Sequence, residues 1–193
     1  MSGSDEEPGA PSTRGAAPPD TAAASAASTP RLRKAGSLER VRTFLALHGL
    51  DDGLISFDDR STKTCELAAE AVGCQVGQIV KSLVFVADGT PVLALVAGDR
   101  RGDTKAIGAL LGAKSVRFAD PDTVRAATGY AIGGVSPYDL PAELTVLIDE
   151  SLERFDTVFT AAGTPSSMVG VPRDVLFALA GGRVERISSE QPA

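Results

Sequence analysis

Lys81 is the residue whose surroundings in the sequence most clearly suggest a chemical role. It lies within the apolar run 79–87, which has the composition of a central, buried β-strand. Strand alternation places it on the same side as Leu83 and Phe85. Burying an ammonium group in an apolar core is costly unless a partner or water meets it. Lys81 therefore either opens onto a pocket or extends from a strand end toward solvent, and the residues alone favour the two equally.

A second candidate site is the glycine-rich segment 129–141, called the glycine loop below, which begins Gly-Tyr-Ala-Ile-Gly-Gly-Val-Ser-Pro. Glycine permits positive φ and a close approach of a ligand, so that main-chain N–H and C=O groups can contact a substrate directly. A tight turn is the structural alternative, but it needs one or two glycines rather than three. The segment matches neither the GxGxxG fingerprint nor a P-loop, which disfavours nucleotide binding of those types.

A third candidate is the segment 161–167, where small and hydroxyl residues follow an apolar strand. These residues could form the floor of a pocket, although an ordinary strand-to-loop turn also explains them.

Other catalytic constellations find little support. The acidic residues show no paired-carboxylate or metal-ligand spacing. The single histidine, His48, is expected at a helix C-terminus on the surface, and a Ser-His-Asp set would require it to fold into the pocket. Cys65 and Cys74 form no CxxC motif and are interpreted as small buried apolar groups, with a nucleophile as the minor alternative.

Length and composition indicate one domain of ordinary size in a chain of 193 residues, 43% of them hydrophobic. No apolar stretch is long enough to span a bilayer, which predicts a cytoplasmic protein with no membrane partner. The net charge of −6 is opposite to that of proteins making many phosphate contacts, but it does not exclude contact with the end of a nucleic acid through a few groups. Residues 1–36 are rich in Ala, Ser and Pro and are predicted to be a disordered tail before a domain spanning 37–190.

The elements that must position these residues follow from hydrophobic periodicity. Helices are predicted over residues 38–47 with Ser37 as N-cap, from Ser61 or Thr62 to Gly73, over 104–111, over 121–127 with Asp120 as N-cap, and over 173–179. A β-hairpin is predicted over 79–97, turning at 88–91, with further strands over 115–118, 144–148, 157–161 and 183–187. Tight hairpins alternating with helices indicate an α/β protein of the mixed α+β kind, with a mostly antiparallel mixed sheet flanked by helices.

Three segments taken together resemble the YbaK family, the editing domain associated with prolyl-tRNA synthetase, which also occurs as free-standing deacylases. They are residues 78–85, 105–114 and 128–137, and they occur in the order and spacing of that family. The resemblance extends over about residues 38–188 and includes 147–149 and 161–165. It implies that family's fold, with a compact domain around a mixed sheet.

The resemblance also implies a pocket for the aminoacyl ester at the 3′ end of a tRNA. Its signature lysine falls on Lys81, which would hold the terminal phosphate or polarise the ester. Main-chain groups of Gly133 and Gly134 would position the ester carbonyl and the attacking water, so that no metal, cofactor or histidine is required. The remaining expected substrate-binding residues are Ser82, Ile132, Val135, Ser136, Pro137, Ala161, Gly163, Thr164 and Met168.

Substrate choice is where the sequence departs from the cysteine-removing subgroup of the family. Ala161 and Met168 stand where that subgroup carries polar residues, which favours a broader EbsC-type deacylase acting on a small amino acid such as alanine on tRNA(Pro). Tyr138 and Asp139 replace the usual glycine-containing continuation of the loop. Three hypotheses follow. The first is a trans-editing deacylase of mischarged aminoacyl-tRNA, and the second is a non-catalytic module that binds tRNA, an aminoacyl-tRNA synthetase or a cell-envelope partner. The third is a different small-ester or amide hydrolase.

Overall fold

A computed structural model describes residues 36–57 and 64–191 of the chain. The predicted tail, apart from Gly36, and the proposed helix starts at Ser61 and Thr62 lie outside these residues. The α-helices of the described part are α1 Ser37–Leu47, α2 Cys65–Val72, α3 Thr104–Leu111, α4 Pro121–Thr128 and α5 Arg173–Ala180. Its strands are β1 Leu54–Ser56, β2 Val80–Ala87, β3 Thr90–Ala97, β4 Arg100–Gly102, β5 Val116–Phe118, β6 Thr145–Asp149, β7 Thr157–Ala161, β8 Ser167–Pro172, β9 Arg183–Glu185 and β10 Ser188–Glu190.

The main sheet has five strands in the order β5-β2-β3-β6-β9. The pairs β2–β3 and β2–β5 are antiparallel, whereas β3–β6 and β6–β9 are parallel. A three-stranded sheet β1-β8-β7 and the pair β10–β4 are both antiparallel. The predicted mixed and mostly antiparallel α+β architecture is therefore confirmed.

The β2–β3 hairpin is the central element of the main sheet and forms as predicted. Its turn consists of Asp88 and Gly89, whose φ values of 46° and 91° are the left-handed pair that a two-residue hairpin turn requires. The Asp88 carboxylate also accepts hydrogen bonds from the main-chain N–H groups of Lys114 and Ser115, each at 2.9 Å. The turn is thereby tied to the segment that leads into β5.

The predicted N-cap of α1 is wrong, and α2 begins later than the predicted start near Ser61 or Thr62. α1 begins at Ser37 itself, with Gly36 as N-cap and no side-chain cap bond, because the main-chain carbonyl of Gly36 already accepts from Arg40 N at 3.0 Å. α2 begins at Cys65, because Thr64 is extended and its Oγ1 accepts from Leu67 N at 3.3 Å. The predicted caps of α4, Asp120 with Pro121 at the first position, are confirmed.

The C-terminal strand prediction over 183–187 is also wrong in its extent. The strand stops at Glu185, and Ile187 is fully buried beneath the main sheet rather than part of a strand. The Ile187 carbonyl accepts from Asp103 N at 2.8 Å, after which β10 pairs with β4. The chain therefore changes pairing partner within two residues.

The main sheet separates two apolar cores. Leu93, Leu95 and Ala97 of β3 face the larger core, which α1, α4, α5 and the three-stranded sheet complete. Val92, Ala94 and Val96 alternate to the other face and pack with Ile107 of α3. None of the helices within the described ranges is long and apolar enough to cross a membrane.

Asp149, at the end of β6, is fully buried and joins the sheet to the C-terminal segment. Its carboxylate accepts from Ile187 N at 2.9 Å, from Ser188 Oγ at 2.7 Å and from Ser151 N at 3.0 Å. A buried carboxylate is tolerated when donors surround it in this way. Asp149 thus fixes where the chain runs after β9.

Candidate active site

Lys81 lies near the start of β2, paired with Val96 of β3, on a stretch of strand that β5 does not reach. The β2–β5 pairing covers only Phe85, Val86 and Ala87, so among the described strands it is β3 that pairs with the Lys81 end of β2. The side chain is half-buried, and its Nζ donates a hydrogen bond to the carbonyl oxygen of Arg100 on β4. Of the two alternatives for this lysine, the structure shows the one in which it opens onto a pocket.

The ammonium group of Lys81 is in a partly apolar environment. Burial lowers the pKa of Lys81 below its ordinary value, and nearby Cys65, Asp99 and Glu66 oppose that shift. Burial likewise raises the pKa of the Cys65 thiol. A lysine with a lowered pKa beside a cavity is a common feature of functional sites.

Asp99 supplies negative charge near Lys81 and is itself held in place. Arg154 donates two hydrogen bonds to its carboxylate, at 2.9 and 2.6 Å, in a bidentate pair. These bonds lower the pKa of Asp99. A fixed carboxylate near the ammonium group favours the charged lysine that burial disfavours.

The glycine loop borders the cavity onto which Lys81 opens. Gly133 has φ of 87°, in the left-handed region that favours glycine. A Cβ on Gly134 would lie 2.7 Å from the carbonyl oxygen of Gly163 and 2.9 Å from Cα of Thr164. The second glycine is therefore needed for a close contact between two main-chain segments, whereas the first turns the chain at the cavity wall.

The cavity has a volume of about 560 Å³ and is walled by β2, the start of α2, the glycine loop and the β7–β8 pair. Seven of the predicted site residues line it: Lys81, Ser82, Ile132, Gly133, Val135, Ala161 and Met168. Ser82 Oγ is buried and has no hydrogen-bond partner within the described part of the chain. The structure thus brings the predicted lysine, the glycine loop and the β7–β8 pair together around one cavity.

Five predicted site residues, Gly134, Ser136, Pro137, Gly163 and Thr164, do not line the cavity. Gly134 and Gly163 pack main chain against main chain, and Thr164 Oγ1 lies 2.7 Å from Ser167 Oγ in a hydrogen bond. Ser136 is fully buried, and its Oγ accepts from Tyr138 N at 3.4 Å. Pro137 borders a separate cavity beside Phe44.

Further cavity residues were not among the predicted site residues. Thr64, Cys65 and Glu66 come from the start of α2, Gly98 from the end of β3, and Gln191 from the residue after β10. Ile79, Val80 and Leu83 also line the cavity, and their position within two residues of Lys81 in the sequence is the signal that could have identified them. Cys65 was interpreted as buried, but it is only partly so because one side of it faces the cavity.

His48 is exposed, as the sequence predicted, and is not among the residues that line the cavity. It ends α1, and its ring Nδ1 is 2.8 Å from the carbonyl oxygen of Phe44. Its ring stacks on that of Phe44 with centroids 4.5 Å apart. Within the described ranges, no group of three or more His, Cys, Asp or Glu residues is arranged to hold a metal ion.

A family model described as the aminoacyl-tRNA editing domain matches residues 59–179. The chain belongs to the aminoacyl-tRNA editing domain family. The matched span includes Lys81, the whole glycine loop and the β7–β8 pair, and it leaves out α1, β1, β9 and β10. The resemblance to YbaK-type editing domains is thereby confirmed.

Two relatives show how this editing domain occurs as a free-standing protein. YwhH of Bacillus subtilis is 38% identical over 134 residues, which are 69% of this chain and 84% of that protein. EbsC of Enterococcus faecalis, named as a candidate Cys-tRNA(Pro)/Cys-tRNA(Cys) deacylase, is 26% identical over 129 residues, 66% of this chain and 79% of its own.

The editing domain also matches part of a larger enzyme. The proline–tRNA ligase of Citrifermentans bemidjiense is 38% identical over 115 residues, which are 58% of this chain but only 20% of the ligase. A crystal structure described as a candidate trans-editing enzyme for prolyl-tRNA synthetase superposes with a TM-score of 0.73 at 38% identity, covering 80% of this chain and 98% of that one. This likeness supports the fold described above.

Proposed function

We propose that this protein is a trans-editing aminoacyl-tRNA deacylase, which hydrolyses the ester of a small amino acid such as alanine mischarged on tRNA(Pro). One observation carries this proposal: Lys81 of the main sheet and Gly133 of the glycine loop line the same cavity. An activated ester needs orientation and stabilisation of the developing oxyanion more than it needs a strong nucleophile. Ammonium and main-chain groups facing one cavity can supply both.

In this mechanism Lys81 is the binding and polarising group. Its ammonium has three donors, of which the Arg100 carbonyl engages one. Another donor would hold the phosphate of the terminal nucleotide or the ester oxygen. Ser82 also lines the cavity, while its Oγ is buried and has no partner among the described residues.

The glycine loop would orient the reacting atoms. Main-chain groups at Gly133 and Gly134 would position the ester carbonyl and a water molecule. The water oxygen bonds to the carbonyl carbon, the bond to the ribose oxygen breaks, and that oxygen takes up a proton. The products are the free amino acid and the 3′ end of the tRNA.

The walls of the cavity favour a small apolar amino acid. Ala161 and Met168 face each other across the β7–β8 pairing, and Ile79 and Val135 add further apolar surface. The Ala161 methyl group has no hydrogen-bonding atom, and the Met168 thioether is only a weak acceptor. A site lined in this way discriminates by size rather than by polarity.

The partners follow from the same proposal. The substrate is the 3′ end of a mischarged tRNA, and the reaction takes place in the cytoplasm, where tRNA is charged. Similarity to a segment of proline–tRNA ligases supports tRNA(Pro) as the tRNA and supports the proposal of an aminoacyl-tRNA synthetase as a further partner. The net charge of −6 is consistent with a contact limited to the end of the tRNA.

The test is a panel of alanyl-, seryl- and cysteinyl-tRNA(Pro), with prolyl-tRNA(Pro) as the cognate control. We expect alanyl-tRNA(Pro) to be hydrolysed fastest and Lys81→Ala to abolish the activity. Lys105→Ala, at an exposed lysine of α3, is the matched control and should keep the wild-type rate.

Other outcomes would contradict the proposal in distinct ways. Binding of tRNA that survives Lys81→Ala without any turnover would indicate a non-catalytic module. Hydrolysis of small esters that an aminoacyl-adenosine analogue does not inhibit would indicate a different hydrolase.

A further inference from the structure

Arg40 of α1 contacts both ends of the glycine loop. Its Nη1 donates to the carbonyl oxygen of Gly129 at 3.2 Å, and its Nη2 donates to that of Asp139 at 2.8 Å. Its Nε donates to Oδ2 of Asp139 at 3.0 Å. The guanidinium carbon also lies 4.6 Å from the ring centroid of Tyr130. Arg40 is only 9% exposed, so this arrangement is inside the protein.

Asp139 is suited to this contact by its backbone as well as by its charge. Its φ of 50° lies in the left-handed region, where glycine is the usual residue. An aspartate there costs some backbone strain but provides a carboxylate that glycine lacks. Nearby, Tyr130 Oη donates to the carbonyl of Tyr138 at 2.7 Å and closes the loop on itself. Asp139, which stands in the part of the loop that departs from the family pattern, is therefore the partner of Arg40.

The start of α1 supports the loop at a second point. A Cβ on Gly163 would collide with the main-chain carbonyl of Ser37, and Gly163 in turn contacts Gly134 of the loop. α1, the turn at Gly163 and the glycine loop are thus stacked main chain on main chain. α1 lies wholly before residue 59, where the family match begins.

We propose that α1, through Arg40, braces the glycine loop in the geometry it has at the cavity, and that Arg40 is a positioning residue for the proposed deacylation. The effect on catalysis depends on the proposed function, whereas the ordering of the loop does not. The planar guanidinium fork fixes direction as well as distance, which a lysine ammonium does not. A displacement of about 1 Å in a catalytic loop can cost roughly a hundredfold in rate.

The experiment compares Arg40→Ala, Arg40→Lys and Asp139→Asn with Arg42→Ala, an exposed arginine of the same helix paired at 3.6 Å with Glu39. Two quantities are measured: amide hydrogen exchange of the peptide spanning 129–141, and kcat and KM for alanyl-tRNA(Pro). We expect faster loop exchange in the first three variants and wild-type exchange in Arg42→Ala. For Arg40→Ala we expect kcat to fall 10- to 100-fold while KM changes less than threefold, with a smaller loss in Arg40→Lys.

A double variant separates positioning from simple damage to the fold. Arg40→Ala with Asp139→Gly removes the unpaired carboxylate and keeps the positive φ, so it should recover melting temperature but not loop protection or kcat. Should Arg40→Ala fail to fold, Arg40→Lys and Asp139→Asn provide the same comparison.

Unchanged loop exchange in the Arg40 variants would overturn the proposal, as would a rise in KM with kcat unchanged. If the wild-type protein hydrolyses no aminoacyl-tRNA, the proposed function fails, and hydrogen exchange alone then decides whether α1 braces the loop.

Discussion

The ammonium group of Lys81 donates a hydrogen bond to the main-chain carbonyl of Arg100. The bond connects the main sheet to the small β4–β10 sheet, because Arg100 pairs with Glu190 along β10 and their side chains form an ion pair at 3.5 Å. A lysine side chain is flexible, and such an anchor fixes where its charge lies. The cavity therefore has a positioned ammonium group before any substrate arrives.

Replacing Lys81 by methionine should stabilise the fold near neutral pH. Burial lowers the pKa of Lys81, so between its folded and unfolded pKa values the unfolded chain binds more protons and wild-type stability rises with pH. Below that window the charged lysine lowers stability, and Lys81→Met removes this cost. In urea denaturation at pH 7 and near pH 10, the free energy of unfolding of Lys81→Met should exceed that of the wild type by an amount that shrinks as pH rises. An equal difference at both pH values would contradict the lowered pKa.

Met168→Ala should relax the size selectivity of the proposed deacylase. Met168 is 4% exposed and lines the cavity opposite Ala161. Removing its thioether enlarges the amino-acid end of the cavity, so kcat/KM for a valyl ester relative to an alanyl ester should rise about 10- to 100-fold. Met168→Leu, which conserves volume, is the control and should change that ratio little. The measurement is single-turnover hydrolysis of the two aminoacyl-tRNAs, and an unchanged ratio in Met168→Ala would place the amino acid elsewhere.

Gly163→Ala should unfold the protein more easily than a comparable change at Gly181. Both glycines have positive φ, 91° and 62°, but a Cβ at Gly181 meets open space whereas one at Gly163 collides with the Ser37 carbonyl. We expect a loss of about 3 kcal/mol or more in the free energy of unfolding at Gly163 and about 1 kcal/mol at Gly181. Chemical denaturation of the two variants checks this, and equal losses would mean that α1 does not pack on the turn.

Truncation should show that α1 contributes to the thermal stability of the protein and that the segment before it does not. We expect deletion of residues 1–35 to leave the melting temperature within a few degrees of the full chain, because that composition buries little apolar surface. Deletion of residues 1–48 removes Val41 and Leu45, both fully buried in the larger core, together with Arg40. It should lower the melting temperature by about 10 °C or more. Thermal unfolding followed by circular dichroism measures both, and a large loss in the first deletion would refute the tail prediction.

The elements predicted best from sequence are those specified locally. The hairpin over 79–97 and the helix Thr104–Leu111 have their own turn and cap residues, Asp88 with Gly89 and Gly112. Their structure depends on neighbours within a few positions, so composition and periodicity were sufficient.

The strands that were missed depend on distant partners. β8 contains Gly170 and Pro172, which weaken any strand signal, yet it pairs with both β1 and β7. β1, β4 and β10 have three residues each, too few for an alternating pattern to stand out. Only the folded arrangement provides the partners that make such short segments strands.

The residues of the candidate site likewise fall into two groups, those marked by a local sequence pattern and those that only the fold brings to the cavity. Lys81 and the glycine loop stood out because an ammonium in an apolar strand and three glycines in one loop are unusual locally. Cys65 and Gln191 reach the cavity from the start of α2 and the end of β10, and no local pattern marks them. Arg40 resembled any surface arginine of an amphipathic helix until the fold placed Asp139 beside it.

The carboxylate of Asp149 has a practical consequence for handling this protein. Through Ile187 and Ser188 it fixes the approach of the chain to Gln191, which lines the cavity. A purification tag or fusion partner appended after residue 193 would begin two residues from that wall and would compete for space with any large substrate. A tag attached ahead of Gly36 leaves the Gln191 wall of the cavity unmodified, and kinetic work on the protein should use one.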